Sequence, residues 1–199
     1  LEVMEEGQVT VDGVTHQLPK PFVVIATQNP IGSAGTQLLP QAQLDRFIMQ
    51  LSMGYTEKED TLEILRRFVT GAPVEEIHSV CTREELLEMQ ESIKTVYIHP
   101  DVAAYSVDIV DKTRHRDDVA LGVSPRGNLA YLRAAQALAA IRGKDYVSPD
   151  EIKELAMPVL GHRIILRSGM RNRSTQIENI IHEILNTVEV PTENWKVER

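Results

Sequence analysis

The stretch Phe22-Val-Val-Ile-Ala-Thr-Gln-Asn-Pro30 begins as an apolar run and stops on a hydroxyl, two amides and a proline. If Phe22–Ala26 is a parallel strand of an open α/β sheet, Thr27, Gln28 and Asn29 project into the crevice at its carboxyl end, where such folds bind ligands. An amide there can donate to a phosphate oxygen and hold an attacking water at once, because it carries both donors and acceptors. Asn29-Pro30 reads equally well as the start of a turn, for which both residues are common choices. A second group with chemical potential is Arg126. Ser124 and Pro125 have the types of an N-cap and a first helical residue, so Arg126 falls in the first turn of a helix. A cation there opposes the macrodipole by about 0.3–1 kcal/mol. An anion shared with the free amides of the helix start would offset that, and so would solvent or a nearby carboxylate. The third is Arg46 in Leu44-Asp45-Arg46-Phe47. Its planar fork suits bidentate binding of phosphate, but Asp45 and Arg46 also read as a surface pair worth less than about 1 kcal/mol.

The elements that must position these groups fall into two halves with different periods. Gln8–Val11, Asp12-Gly13 and Val14–Leu18 carry a strong hairpin signal. Phe22–Ala26 is continuously apolar, as a strand covered on both faces would be. Residues 31–40 hold Gly32, Gly35 and flanking prolines and read as a loop. A short helix is expected around Gln41–Phe47, then another apolar stretch at Ile48–Leu51. From Thr56 the period becomes helical. Thr56–Glu59 and Thr82–Glu85 have the form of capping boxes. The first opens a helix with Leu62, Leu65 and Phe68 on one face, the second a helix with Leu86, Met89 and Ile93. Pro100-Asp101 opens a third helix through Tyr105 and Ile109. Ser124-Pro125 opens a long alanine-rich one, ending near Gly143. Ser148-Pro149-Asp150-Glu151 combines N-cap, helix-start proline and reciprocal acid. A last helix is predicted from about Thr175 to Val188, with Ile177, Ile181 and Ile184 inward. The fold class is therefore α/β plus all-α, with the seam near Gly54–Thr56.

The totals narrow the function classes. A chain of 199 residues with 42% hydrophobic and 25% charged residues has the make-up of an ordinary globular protein. Cys81 is the single cysteine, so no internal disulfide forms, and a cytoplasmic setting is the natural expectation. No apolar run approaches the roughly 20 residues of a membrane helix. The net charge of −8 counts against nucleic acid as a partner. The densest basic group, Arg163, Arg167, Arg171 and Arg173, reads as a solvated loop. The six histidines show no ligand spacing with each other or with Cys81, so no metal site is predicted. The opening Leu1–Glu6, acidic and without a start methionine, looks like the middle of a helix, and a piece of a longer protein is the expectation.

Taken in order and at their intervals, "ATQNP", "GTQLLPQAQLDRF", "GVSPRGNL", "GKDYVSPDEI" and "VLGHR" resemble the MoxR family of AAA+ ATPases. The likeness runs from Leu1 to about Arg163. It implies a partial AAA+ parallel-sheet core over residues 1–54 and a helical lid domain over residues 55–199. It further implies that Asn29 matches sensor 1, which orients water against the γ-phosphate. Arg46 then matches the arginine finger that reaches a neighbouring subunit's nucleotide, and Arg126 matches sensor 2, the lid arginine on the γ-phosphate of its own subunit. The cofactors implied are ATP and Mg²⁺. The partners implied are copies of the same chain, in hexamers as is usual in the family, and client proteins for chaperone-like maturation or metal insertion, often beside von Willebrand factor A domain proteins.

One departure is large. No G-x-x-x-x-G-K-[ST] and no apolar strand ending in Asp-Glu occur in the chain. In the family both precede the point that matches Leu1. The expectation is an ATPase as the intact protein and little activity from this chain alone. The competing readings are a non-catalytic helical interaction module and a DNA-handling AAA+ relative. A phosphate loop encoded upstream of Leu1 would favour the enzyme, and the acidic balance counts against DNA.

Overall fold

The structure, a computed structural model, describes residues 2–28, 39–71, 77–167 and 173–192. A short helix α1 (Glu2–Glu6) leads into the hairpin β1 (Gln8–Val11) and β2 (Val14–Gln17), paired antiparallel with Gln8 opposite Gln17. Asp12 and Gly13 turn the corner at φ values of 50° and 78°, the left-handed pair that a two-residue hairpin with primed geometry requires.

Phe22–Ala26 departs from the expectation. It is not a strand, and Phe22, Val23 and Ile25 are 45%, 67% and 86% exposed. The reason is physical: a strand takes its hydrogen bonds from neighbouring strands. Among the described residues every sheet is two-stranded, and none includes this segment. Asn29 and residues 31–38 of the predicted loop lie outside the described residues.

Helix α2 (Gln41–Leu44) is shorter than predicted, with Asp45 as its C-cap. Helix α3 (Lys58–Thr70) forms, but its capping box does not. Glu57 is the N-cap without a side-chain bond, and the Thr56 hydroxyl lies 2.7 Å from that of Thr61 instead. The apolar stripe of α3 is also not buried: Leu62, Leu65 and Phe68 are 55%, 56% and 82% exposed.

From residue 83 onward the sequence signals and the structure agree closely. In α4 (Arg83–Ser92) the Thr82–Glu85 box is complete, with the Thr82 amide donating to Glu85 at 2.7 Å and the Glu85 amide donating to Thr82 Oγ1 at 3.2 Å. Then come β3 (Tyr97–Ile98), α5 (Pro100–Arg114), β4 (Val119–Leu121), α6 (Pro125–Ile141), β5 (Tyr146–Val147) and α7 (Pro149–Leu160). A 3₁₀ turn (Gly161–Arg163), β6 (Ile165–Leu166) and α8 (Arg173–Thr187) complete the described order. Strand β3 pairs parallel with β5, and β4 antiparallel with β6, clamping the loops between helices.

The core belongs to α5–α8. Tyr131, Ala135 and Ala139 of α6 are buried against α7, and Tyr105 and Ile109 of α5 and Ile181 and Ile184 of α8 close the other sides. Burying a large apolar side chain contributes about 1.5–3 kcal/mol, and the Tyr131 hydroxyl is satisfied by the Ile152 carbonyl. One carboxylate is fully enclosed. Glu151 accepts from the Ser148 amide at 2.9 Å, the Ser148 hydroxyl at 2.6 Å and Lys144 Nζ at 2.7 Å, with Arg142 at 3.3 Å. Burial raises its pKa, but these donors outweigh burial and hold it down at about 2.

Candidate functional site

Where α7 ends, Gly161–Arg163 wind into a single 3₁₀ turn, and the Arg163 side chain turns back into the protein, only 2% exposed. A buried guanidinium is costly unless all of its donors are used, and here they are. Arg163 Nε donates to Asp45 Oδ1 at 2.9 Å. One terminal nitrogen donates to the carbonyls of Phe47 at 2.7 Å and Asp45 at 3.2 Å. The other faces the carbonyls of Ile48 at 3.3 Å and Val159, with His162 Nε2 at 2.9 Å. Burial lowers the Arg163 pKa, the Asp45 carboxylate opposes that, and the positive charge of Arg126 adds to the lowering.

These bonds seat the turn that carries Arg46. Beside them the Gln41 amide donates to the His162 carbonyl at 2.7 Å, His162 Nε2 lies 3.2 Å from the Phe47 carbonyl, and the Gln50 amide donates to the Pro158 carbonyl at 2.8 Å. Arg173 joins from the start of α8, donating to the Ile164 carbonyl at 3.1 Å. The expectation of a solvated basic loop is thus corrected for Arg163 and Arg173. Their charges are drawn inward by carbonyls and a carboxylate from distant parts of the chain, while Arg167 is exposed. Asp45, read from the sequence as a surface partner of Arg46, also accepts from the buried Arg163. Arg46 itself is half-buried on the seated turn.

Arg126 lies on the other side of the same side chain. The Ser124 hydroxyl accepts from the Gly127 amide at 3.2 Å, and Pro125 occupies the first helical position of α6, so Arg126 projects from the first turn and is exposed. Gly127 is there because the Arg163 stem crosses the helix at that point. A Cβ on Gly127 would stand 2.8 Å from Arg163 Cδ and 2.5 Å from Val123 Cγ1. Two of the three predicted site residues, Arg46 and Arg126, are therefore held by elements that meet on Arg163. The third, Asn29, is outside the described residues. Sequence reading missed Arg163, although "VLGHR" stood among the quoted motifs. A lone small residue inside a helix start and an arginine directly after another helix were the available signals.

Chemically, this arrangement offers guanidinium donors for an anion. Among the described residues no group of three or more His, Cys, Asp or Glu side chains is placed to hold a metal ion. No described helix is long and apolar enough to cross a membrane.

Comparisons with known proteins match both halves. Residues 1–49 fit the model of the ATPase family associated with various cellular activities, and residues 111–184 fit its lid domain. The chain is 44% identical to the uncharacterized protein YeaC of Bacillus subtilis, over 99% of this chain and 62% of that one. It is 36% identical to chaperone MoxR1 of Mycobacterium tuberculosis, over 98% and 53% of the two chains. With the magnesium-chelatase 38 kDa subunit of Rhodobacter capsulatus it shares 31% identity, over 82% and 47%. A crystal structure of a protein assigned as an ATPase from Cytophaga hutchinsonii superposes with a TM-score of 0.86 at 34% identity, covering 96% of this chain and 61% of that one. The chain thus spans roughly half to three-fifths of the length of these curated relatives.

Proposed function

This chain belongs to the MoxR family of AAA+ ATPases, and on that footing we propose that it supplies the polar groups that act on the terminal phosphate of ATP in a ring of identical subunits. Asn29 serves as sensor 1 and orients the attacking water. Arg46 serves as the arginine finger, reaching the nucleotide of the neighbouring subunit, and Arg126 serves as sensor 2 on the nucleotide of its own. Residues 1–54 are the end of the nucleotide-binding core and residues 55–199 the lid. ATP and Mg²⁺ are the cofactors, and the phosphate loop and metal-binding acids come from sequence that this chain does not contain. The ring is a hexamer, it works in the cytoplasm, and its role is chaperone-like maturation or metal insertion for client proteins, alongside von Willebrand factor A domain partners. The relatives named as a chaperone and as magnesium-chelatase subunits support that reading.

The observation that carries the reading is the seat around Arg163. A charged side chain can act on a phosphate only if its backbone is held still, and the turn bearing Arg46 is bound on several carbonyls at once. The deciding experiment is Arg46→Ala in a gene product that joins this chain to a phosphate loop. Arginine fingers contribute about 10³–10⁵ in kcat, so turnover should fall by at least about 10³-fold with nucleotide affinity nearly unchanged. Turnover within a few-fold of wild type removes the finger assignment. Rings mixed from the Arg46 variant and a phosphate-loop variant should recover part of the activity, because each completes the other's site. For this chain alone, calorimetric titration with ATP and Mg²⁺ should give no micromolar binding.

A further inference from the structure

We infer that Arg163 is a positioning residue that couples Arg126 to Arg46, so that contact with the nucleotide in a subunit's own site sets the finger it presents to the next. The inference rests on the roles proposed above for those two arginines and assigns a task to a third that touches neither nucleotide.

The coupling is mechanical and can be followed along one side chain. The aliphatic stem of Arg163 lies against the first turn of α6 at Gly127, with no room for even a methyl group between them. Any shift of that turn, such as one that follows an anion gripped by the adjacent Arg126, pushes on the stem. The head of the same side chain holds the Asp45 carboxylate and the carbonyls of Asp45, Phe47 and Ile48, which bracket Arg46 on both sides. A rigid planar fork with its donors all engaged passes displacement from stem to head. A flexible chain ending in a point charge does not. Packed interiors respond to small shifts by moving as units, since there is little free volume to absorb them.

The test uses the ATPase-competent gene product with three changes, Arg163→Lys, Asp45→Asn and Arg46→Ala, each checked for folding by circular dichroism and assayed below its melting temperature. Arg163→Lys keeps the charge but loses the fork. It is expected to lower kcat about 10- to 100-fold, the scale for displacing a catalytic group by about 1 Å, with KM within about threefold. The Hill coefficient for ATP should fall towards 1. Combined with Arg46→Ala, Arg163→Lys should add less than about twofold, because it acts through a side chain already removed; a merely structural lesion would multiply. If Arg163→Lys does not fold, Asp45→Asn decides, since Asp45 is partly exposed and its loss leaves Arg163 its carbonyls. It should lower kcat at least about threefold at unchanged KM. The inference is overturned if the folded variants keep kcat within about twofold of wild type, or if the double change multiplies the two losses. Should Arg46→Ala itself leave turnover intact, the finger assignment fails first, so the two failures are told apart.

Discussion

The imidazole of His162 makes the seat of the Arg46 turn sensitive to acid. It is buried, and burial together with the neighbouring Arg163 charge lowers its pKa from the ordinary 6.5 to about 4. The folded protein therefore keeps His162 neutral where the unfolded chain would bind a proton. The sign follows directly. This stabilisation is complete above pH 6.5, declines as pH falls, and is gone by about pH 4. The gap between 6.5 and about 4, at about 1.4 kcal/mol per pH unit, amounts to roughly 3 kcal/mol. Most of that falls between pH 6.5 and 4.5, before the depressed carboxylates of Glu151 and Asp118 begin to take up protons. Thermal unfolding followed by circular dichroism from pH 7 to 4.5 should show a drop of roughly 5–12 °C, at about 2–4 °C per kcal/mol for a chain of this size. His162→Gln, whose amide does not titrate, should flatten the profile over the same window whatever its stability at pH 7. Parallel profiles for the two proteins would refute the reasoning. Loss of the seat would also show locally, because a protonated ring cannot accept from the Arg163 nitrogen 2.9 Å away.

The remaining predictions concern packing. Glu151→Gln removes the enclosed charge facing Lys144 and Arg142 and should cost about 2–3 kcal/mol, less than a fully buried pair because both partners keep part of their hydration; its difference from wild type should vanish as pH falls from about 4.5 to 2. Gly127→Ala places a methyl group inside contact distance of Val123 and Arg163 and should cost about 1–3 kcal/mol by denaturant titration; an unchanged midpoint would contradict the close crossing. Phe68→Ser on α3, at a side chain 82% exposed, should change the stability of this chain by less than about 0.5 kcal/mol.

What could be read in advance depended on how far apart the interacting residues lie. The hairpin turn at Asp12-Gly13 and the caps at Thr82–Glu85 and Ser148–Glu151 are satisfied by groups within three residues, and all appear as predicted. Thr56–Glu59 has the same form but failed locally, because Thr61 offered the threonine hydroxyl another partner. The errors of larger consequence were non-local. Phe22–Ala26 is apolar enough for a strand, yet strand formation is decided by neighbours that its own letters do not specify. Arg163 looked like one of several solvent-facing arginines, because all but one of the carbonyls that hold it, those of Asp45, Phe47 and Ile48, come from residues more than a hundred positions earlier in the chain. The two arginines proposed to act on phosphate were legible from local position and family likeness. The side chain that joins them was not.

Every described hydrophobic residue that is fully buried lies between Val96 and Val188. The cooperative unit of this chain is therefore centred on that span, with residues 41–50 tied to its edge at Arg163 and His162, and backbone protection should divide accordingly. Amides in the middle of α6 and α7 should trade protium for deuterium only when the whole helical unit opens. Those of the hairpin and of α3 should exchange through fraying long before that. A denaturation curve followed by helix content would report chiefly on the α5–α8 bundle and say little about the amino-terminal stretch, whose order must be followed with its own probe.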